Sequence, residues 1–263
     1  MPTGSEHIVR SFDNELQGLN QIIVRMGGMA ESMLATAIEA LVKRDSDLAA
    51  KVIRADKEVD ALEKTADEMA IKLIALRQPM ANDLREVIAA LKIASDIERI
   101  GDLAKNLAKR TLALNQAPPA HPAYAIPRMA NLVQGIIKDT LDAYVARDAE
   151  RALDVWHRDE EVDEMYTGLF RELLTYMMED PRNITSSTHL LFIAKNIERM
   201  GDHATNIAEN IYYLAKGEQL EGRRPKGDQS SFEVVNPPAG GEAGENEAGI
   251  EQVTAQDSRE NGE

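Results

Sequence analysis

The sequence contains no cysteine, which excludes disulfide bonds, thiolate zinc sites, iron–sulfur clusters and cysteine nucleophiles. Any bound metal must therefore be held by carboxylate, imidazole, amide or water ligands. Aromatic residues make up only 4% of the 263 residues, and eight of the 16 glycines follow Lys216. Because large β-sandwiches and barrels are rich in aromatic residues and in turns, this composition argues against an all-β fold.

Basic residues are also scarce, with 30 Lys and Arg against 45 Asp and Glu, which gives a formal net charge of −15. Proteins that wrap a phosphate backbone need clustered Lys and Arg, so we expect no nucleic-acid partner. No apolar run approaches the ~18 residues of a membrane-spanning helix. Residues 1–7 have neither the basic nor the apolar region of a signal peptide. The sequence therefore predicts a cytoplasmic protein without direct membrane insertion.

Apolar residues recur at three- and four-residue spacing through most of the chain, which is the pattern of amphipathic α-helices. This pattern predicts six helices, over residues 6–43, 45–77, 79–114, 124–146, 148–179 and 184–216. Pro79 suits the first turn of the third helix. Gly27 and Gly28 interrupt the first helix, and because each glycine costs about 1 kcal/mol there, a small neighbouring residue is expected to pack on them.

The amino-acid sequence of the second half of the chain repeats that of the first half. The sequence Val42-Lys-Arg-Asp45 matches Val145-Ala-Arg-Asp148 at an offset of 103 residues. The motif Ile-Glu-Arg-x-Gly-Asp occurs at residues 97–102 and again at 197–202, at an offset of 100. Such a repeat indicates a duplicated structural unit. The sequence therefore predicts an all-α fold built as a tandem repeat of two antiparallel three-helix bundles.

The boundaries follow from changes in composition. Residues 1–116 form the predicted first bundle, the Pro-rich residues 117–122 a linker, and residues 123–216 the second bundle. Residues 217–263 hold 11 acidic and 4 basic residues, are rich in Gly, Pro, Glu, Ser and Gln, and contain few large apolar side chains. Such a composition cannot bury enough apolar surface to offset the entropy of ordering. We expect a disordered acidic tail that is dispensable for folding.

Acidic residues recur at equivalent positions of the two repeats, as pairs four residues apart on one helix face, each set extended by an asparagine. The first set is Asp56, Asp60, Glu98, Asp102 and Asn106, and the second set is Asp159, Asp163, Glu198, Asp202 and Asn206. Like charges at this spacing destabilise an isolated helix. Hard cations such as Mg²⁺, Mn²⁺, Ca²⁺ and Fe³⁺ bind several oxygen ligands and would remove that cost. One interpretation is therefore a metal site in each repeat.

The other interpretation is a solvated acidic face. Lys105 and Lys109 follow Asp102 on the same helix and can pair with the carboxylates of the first repeat. Their equivalents in the second repeat are Thr205 and Glu209, so ion pairing accounts less well for the acidic residues there. Both interpretations stay open on spacing alone, because pairs of acidic residues are common in helices.

Catalytic motifs are missing beside the acidic residues. The sequence has no Gly-x-x-x-x-Gly-Lys phosphate loop, no Gly-x-Ser-x-Gly and no dinucleotide fingerprint. His203 can add a ligand in the second repeat only, because Leu103 stands at its position in the first. No dedicated general base or nucleophile accompanies the carboxylates. We therefore predict that the chain is not an enzyme, with metal-dependent phosphoryl hydrolysis as an alternative.

The duplicated three-helix unit with its acidic pairs resembles the PhoU family, the accessory and regulatory proteins of bacterial phosphate-specific transport. The two Ile-Glu-Arg-x-Gly-Asp motifs carry this resemblance, together with the acidic pairs in residues 56–60 and 159–163 and the sequence Met26-Gly-Gly-Met29. It covers residues 6–216 and is specific, because both motifs occur at the right interval with their upstream acidic partners. The acidic tail lies outside the family pattern.

The resemblance implies two three-helix bundles side by side, often in a homodimer, with metal clusters held at the surface by the acidic residues named above. It implies a divalent or trivalent ion, namely Mg, Mn, Fe or Zn. It further implies a metal-binding adaptor between the ATPase subunit of the phosphate ABC transporter and its sensor histidine kinase, which holds the phosphate regulon off when phosphate is plentiful. A metal-free helical scaffold is the remaining alternative.

Overall fold

A computed structural model describes residues 4–117 and 125–220, together with residues 222, 224, 227, 228 and 230. These described residues form helices, turns and loops without a β-strand. The α-helices are α1 (Gly4–Lys43), α2 (Ser46–Arg77), α3 (Asn82–Asn115), α4 (Ala125–Ala146), α5 (Ala149–His157), α6 (Asp159–Glu179) and α7 (Ile184–Lys216), with a 3-10 helix at Pro181–Asn183. The all-α prediction is confirmed. The predicted linker after residue 117 and most of the predicted disordered tail lie outside the described residues.

The helices form two bundles, as the repeat predicts. In the first, α1, α2 and α3 all pack on one another, and in the second, α7 packs on α4, α5 and α6. The single helix predicted over residues 148–179 is divided in the structure into α5, which ends at His157, and α6, which begins at Asp159. Arg158 lies at the break, and its Nη1 donates to Asp139 Oδ2 on α4 at 2.7 Å. This ion pair holds the break against the neighbouring helix.

The repeated Arg-Asp pair ends one helix and starts the next in both repeats. Arg44 and Arg147 adopt left-handed backbone conformations, with φ of 55° and 51°, directly after α1 and α4. The following Asp45 and Asp148 then cap α2 and α5, because each carboxylate accepts two hydrogen bonds from backbone N–H groups of the new helix. The sequence match at offset 103 therefore encodes a helix stop and a helix start.

Pro79 does not lie in the first turn of α3, which corrects the prediction. Gln78 ends α2 in a left-handed conformation with φ of 47°, and its N–H donates to Ile74 O at 3.1 Å. Helix α3 begins only at Asn82. Pro79 therefore belongs to the turn between the helices, where its missing N–H leaves no helical hydrogen bond unmade.

Helix α1 continues without a break through Gly27 and Gly28. The neighbour on Gly27 is the large Leu141 of α4 and not a small residue, because a Cβ at Gly27 would lie 2.8 Å from Leu141 Cδ1. Gly27 therefore permits the close approach of α1 and α4, which belong to different repeats.

The two repeats share one hydrophobic core, which includes Ile23 and Ile97 of the first repeat and Ile136 and Ile197 of the second. Helix α3 packs on α7, and α1 packs on α4. None of the described helices is both long enough and apolar enough to cross a membrane.

Candidate metal centre

The two repeated motifs bring the acidic residues side by side. A Cβ built on Gly101 of α3 would lie 3.6 Å from Val59 of α2, and one on Gly201 of α7 would lie 3.5 Å from Val162 of α6. The valine precedes the second aspartate of its motif, and the glycine precedes the aspartate of the other. This contact therefore sets the acidic pairs of two helices next to each other in both repeats.

In the first cluster a lysine joins two of the predicted residues. Lys105 Nζ lies 2.5 Å from Asp56 Oδ2 and 2.5 Å from Asp102 Oδ1. Arg99 Nε lies 3.6 Å from Glu98 Oε2. Asp56 is only 4% exposed, so the lysine supplies the counter-charge of a buried carboxylate. This arrangement is the ion pairing that the second interpretation of the sequence predicts for this repeat.

The negative charges of the first cluster are only partly compensated by Lys105 and repel one another. Burial, with help from Asp102 and Glu63, raises the pKa of Glu98. Burial likewise raises the pKa of Asp56, against the opposing effect of Lys105 and with a contribution from Asp60. The four predicted carboxylates are thus close enough to repel one another, and one ammonium group does not relieve them all.

In the second cluster the counter-charge comes from a residue beyond α7. The guanidinium of Arg224 binds both carboxylate oxygens of Asp159, at 2.7 Å from Nε and 2.6 Å from Nη2. Its Nη2 also lies 2.9 Å from Asp202 Oδ1, and its Nη1 donates to Asn206 Oδ1 at 3.3 Å. Thr205 adds a hydrogen bond of 3.3 Å to Asp159 Oδ1. One arginine therefore gathers three of the predicted residues.

Of the other two predicted residues of the second cluster, Asp163 contacts the same segment directly, whereas Glu198 contacts Lys195, which in turn pairs with Asp228 of that segment. Gly227 N donates to Asp163 Oδ2 at 2.9 Å. Lys195 Nζ lies 3.0 Å from Glu198 Oε1 and 2.8 Å from Asp228 Oδ2. Glu198 is 5% exposed, and its Oε2 has no hydrogen-bond partner among the described residues. The second cluster thus contains a buried carboxylate oxygen that accepts no hydrogen bond from the described residues.

Burial dominates the titration of Glu198 and Asp163 in this cluster. It raises the pKa of Glu198 to about 7, although the hydrogen bond from Lys195 acts in the opposite direction. Burial also raises the pKa of Asp163, against the hydrogen bond from Gly227. Burial would raise the pKa of Asp228 as well, but its hydrogen bonds from Lys195 and Ser230 outweigh that effect and lower it.

Some predicted ligands lie apart from these contacts. Asn106 is exposed. His203 does not join the second cluster, because its Nδ1 lies 2.9 Å from Asp96 Oδ1 of the first repeat. Asn206 Nδ2 donates to the same oxygen at 3.4 Å. His203 therefore serves the packing of α3 on α7.

Sequence reasoning missed Glu63, Lys195, Arg224 and Asp228 as members of the clusters. Glu63 and Lys195 have no counterpart of the same type, because Tyr166 and Ser95 occupy the equivalent positions. A comparison of the two repeats therefore does not identify Glu63 and Lys195 as members of the clusters. For Arg224 the one available signal was Thr205, which stands at the position of Lys105. The second cluster therefore lacks that lysine and needs a positive charge from elsewhere in the chain.

The side chains of both clusters are suitable ligands for a hard cation, because they supply carboxylate oxygens. In the second cluster Glu198 Oε2 accepts no hydrogen bond from the described residues and is available as a ligand. The arrangement of the side chains is that of a cluster neutralised by Lys105 or Arg224. Across the part of the chain that the structure describes, no three His, Asp or Glu side chains are placed to hold a metal ion. A cation would therefore need Lys105 or Arg224 to move.

Comparison with known proteins places this architecture in a family. A family model described as the PhoU domain matches residues 23–111 and again residues 126–211. Each match spans parts of all the helices of one repeat. The duplicated unit that the sequence repeat predicts is thus the unit that the family model describes.

Relatives match over nearly their whole length. The phosphate-specific transport system accessory protein PhoU homolog of Caulobacter vibrioides is 54% identical over 225 residues, which cover 85% of this chain and 98% of that protein. A protein of the same name from Rhizobium meliloti is 54% identical over 226 residues, which cover 86% and 95%. These names describe accessory proteins rather than enzymes and confirm the prediction of a non-enzymatic protein.

A solved structure shares the fold. The crystal structure of PhoU from Pseudomonas aeruginosa is similar with a TM-score of 0.77 and 38% sequence identity, over 79% of this chain and 100% of that chain. That structure leaves about a fifth of this chain unmatched.

Proposed function

This chain belongs to the PhoU family, and we propose that it regulates phosphate uptake and phosphate-regulon signalling as a cytoplasmic adaptor. Its partners in this proposal are the ATPase subunit of a phosphate ABC transporter and a sensor histidine kinase, and it holds the regulon off when phosphate is plentiful. The observation that carries the proposal is the family match over both repeats, with relatives named for phosphate-specific transport that align over almost their full length.

The proposal includes metal binding at the two acidic clusters. The residues that would hold the ion are those predicted from the sequence, with the exposed Asn106 as the weakest candidate. Support comes from the matched clusters in the two repeats and from the buried oxygen of Glu198 that has no hydrogen-bond partner within the described part of the chain. The metal supplies positive charge that relieves repulsion among the carboxylates and stabilises the folded state by mass action. The identity of the ion is one of Mg, Mn, Fe or Zn.

A protein partner is supported by exposed apolar side chains at the end of α2 and the start of α3. Ile71, Leu76, Met80, Leu84 and Ile88 make up half of the ten large hydrophobic residues that the described part of the chain exposes. Met80 is 81% exposed. Apolar groups gathered on a protein surface mark interaction sites more often than chance. We assign this end of the first bundle to partner contact.

The decisive experiment is a pull-down of the tagged full-length chain from phosphate-replete and phosphate-starved cells, followed by binding assays with the purified ATPase subunit and kinase. We expect both partners to be captured in phosphate-replete cells. Met80→Glu should weaken capture, whereas Val145→Glu, which changes an exposed valine in the last turn of α4, should not. Capture of neither partner by the wild-type chain would overturn the adaptor proposal.

Three further assays test the alternatives and the oligomeric state. Metal analysis of protein purified without a chelating column distinguishes the metal-binding adaptor from a metal-free helical scaffold. A phosphatase assay across several divalent metals tests the hydrolase alternative. Size-exclusion chromatography with light scattering tests the homodimer, which we also propose because the family resemblance implies it. We expect bound metal, no phosphatase turnover and a dimer.

A further inference from the structure

The described residues that follow α7 contact the second acidic cluster at three points. Arg224 binds Asp159 and Asp202, the Gly227 amide donates to Asp163, and Asp228 pairs with Lys195. We call Arg224, Gly227 and Asp228 the plug. A Cβ built on Gly227 would lie 3.1 Å from Glu160 O and 3.2 Å from Asp163 Cβ, so its backbone lies directly on α6.

Arg224 occupies in the second cluster the place that Lys105 occupies in the first. Lys105 bridges Asp56 and Asp102, and Arg224 bridges the equivalent Asp159 and Asp202. Thr205 stands where the lysine would be and donates a hydrogen bond to Asp159 instead. The second repeat has thus replaced a cation on its own helix by a cation on a separate segment.

This difference has a consequence for access to the two clusters. Lys105 can leave the first cluster by rotating its own side chain, since its backbone belongs to α3. Arg224 belongs to a separate segment, whose Gly227 also donates to Asp163, so a metal ion bound by Asp159, Asp163 and Asp202 would displace two of the three contacts that hold this segment. Forked arginine–carboxylate pairs are among the stronger polar contacts in proteins.

We propose that the plug is a tethered internal cation that competes with a metal ion for the second acidic cluster, so that metal binding there releases the segment after α7. The inference rests on the metal binding included in the proposed function. Because linkage is reciprocal, whatever holds the plug weakens metal binding, and metal weakens the hold on the plug. No segment among the described residues makes such a link at the first cluster, so in this proposal the two repeats use their matched acidic residues differently.

The first experiment titrates Mn²⁺ into the metal-free full-length chain by calorimetry. The test variant is Arg224→Gln, and the matched control is Arg182→Gln, which removes the same charge from a side chain that is 90% exposed. A site that is open in a tenth of the molecules binds about tenfold more weakly than the open form. We therefore expect Arg224→Gln to tighten the second site about tenfold or more and Arg182→Gln to leave it unchanged.

The second experiment follows the segment itself by hydrogen–deuterium exchange of peptides within residues 217–230. Mn²⁺ should speed exchange of these peptides in the wild-type chain. The double variant Asp163→Asn with Asp202→Asn, which removes metal ligands, should abolish that effect. If Arg224→Gln perturbs the fold, as circular dichroism would show, Asp228→Asn replaces it, because that change weakens the plug at Lys195 and leaves the arginine in place.

The outcomes separate the two proposals. Equal Mn²⁺ affinity in the wild type and in Arg224→Gln, or metal binding at the second site without faster exchange, overturns the plug and leaves the metal sites standing. Absence of Mn²⁺ binding in every variant overturns the metal sites and the competition together. Tighter binding together with metal-induced exchange supports both.

Discussion

Arg224 and Asp159 form a forked ion pair in which both carboxylate oxygens are bound, at 2.6 and 2.7 Å, by a residue 65 positions further along the chain. Asp159 is 2% exposed and lies in the first turn of α6. A carboxylate buried to this degree needs a counter-charge, because desolvation of an unpaired ion costs several kcal/mol. The segment after α7 therefore contributes to the stability of the second bundle.

Replacing Arg224 by Gln should destabilise the metal-free protein by about 2 kcal/mol, because it leaves Asp159 buried and short of its counter-charge. Urea unfolding at neutral pH with a chelator measures this loss. Asp159→Asn in the same chain should recover most of it, since the neutral amide needs no cation. An unchanged unfolding midpoint in Arg224→Gln would show that the ion pair adds nothing to stability.

Shortening the chain should separate the plug from the rest of the tail. Removal of residues 234–263 should leave the melting temperature unchanged, because that stretch is rich in Gly and Glu and has few large apolar residues. Removal of residues 218–263 should lower it, because the plug is lost as well. Differential scanning calorimetry of the two truncated chains provides the comparison. Equal melting temperatures would restore the expectation that the whole tail is dispensable.

Lys105→Gln should destabilise the metal-free protein by about 1–2 kcal/mol, since Asp56 and Asp102 lose their shared cation. Lys109→Gln is the matched control, because Lys109 is exposed one turn further along the same helix, and its effect should stay within about 0.5 kcal/mol. Mn²⁺ should raise the melting temperature of Lys105→Gln more than that of the wild type, measured with and without chelator. Equal responses to Mn²⁺ would argue against a cation site at this cluster.

Much of this architecture can be predicted from the repeated sequence, because the features concerned depend on local sequence patterns. The Arg-Asp pair at 44–45 ends and starts a helix through backbone conformation and capping alone, so its recurrence at 147–148 predicts the same corner. The packing of Val59 on Gly101 likewise follows from small and branched residues at fixed positions of two helices. Features of this kind depend on neighbours in sequence and can be predicted from them.

Other features depend on contacts that no local pattern reports. Arg224 lies in a stretch without apolar periodicity, so its partner could not be identified from spacing. The break at Arg158 contains neither proline nor glycine, and its ion pair reaches a residue on another helix. The partner of Gly27 was predicted to be small, yet Leu141 fills the space because the glycine lets its helix come close. Each of these features follows from tertiary packing.

The two adjacent glycines of α1 should respond in opposite ways to alanine. Gly27→Ala should destabilise the protein by about 1–3 kcal/mol, because the added methyl group overlaps Leu141 back to its Cγ, 3.1 Å away. Gly28→Ala should stabilise it by about 0.5–1 kcal/mol, because nothing lies within 4 Å of the new Cβ and alanine favours the helix. Chemical unfolding of both variants tests the close approach of α1 and α4. Stabilisation by both changes would show that Leu141 moves aside at no cost.

Glu198→Gln should change how stability depends on pH. The pKa of Glu198 is about 7 in the folded chain and 4.5 when unperturbed, so the folded state disfavours the ionised form. Below pH 4.5 the carboxyl is protonated in both states and costs nothing. As the pH rises towards 7, the unfolded state loses its proton first and gains in stability relative to the folded state. The wild type should therefore lose on the order of 2–3 kcal/mol across this window and no more above it.

Glutamine is neutral at every pH and keeps an oxygen that can accept the hydrogen bond from Lys195, so the variant should escape this loss. The two chains should be about equally stable near pH 4.5 and should diverge up to pH 7, with the variant more stable. Urea unfolding in chelator-containing buffers from pH 4.5 to 8.5 measures the difference, which cancels the contribution of all other groups. Glu164→Gln, which changes an exposed glutamate on α6, is the matched control. If Glu198→Gln parallels the wild type at every pH, the carboxyl of Glu198 titrates normally and its burial carries no electrostatic cost.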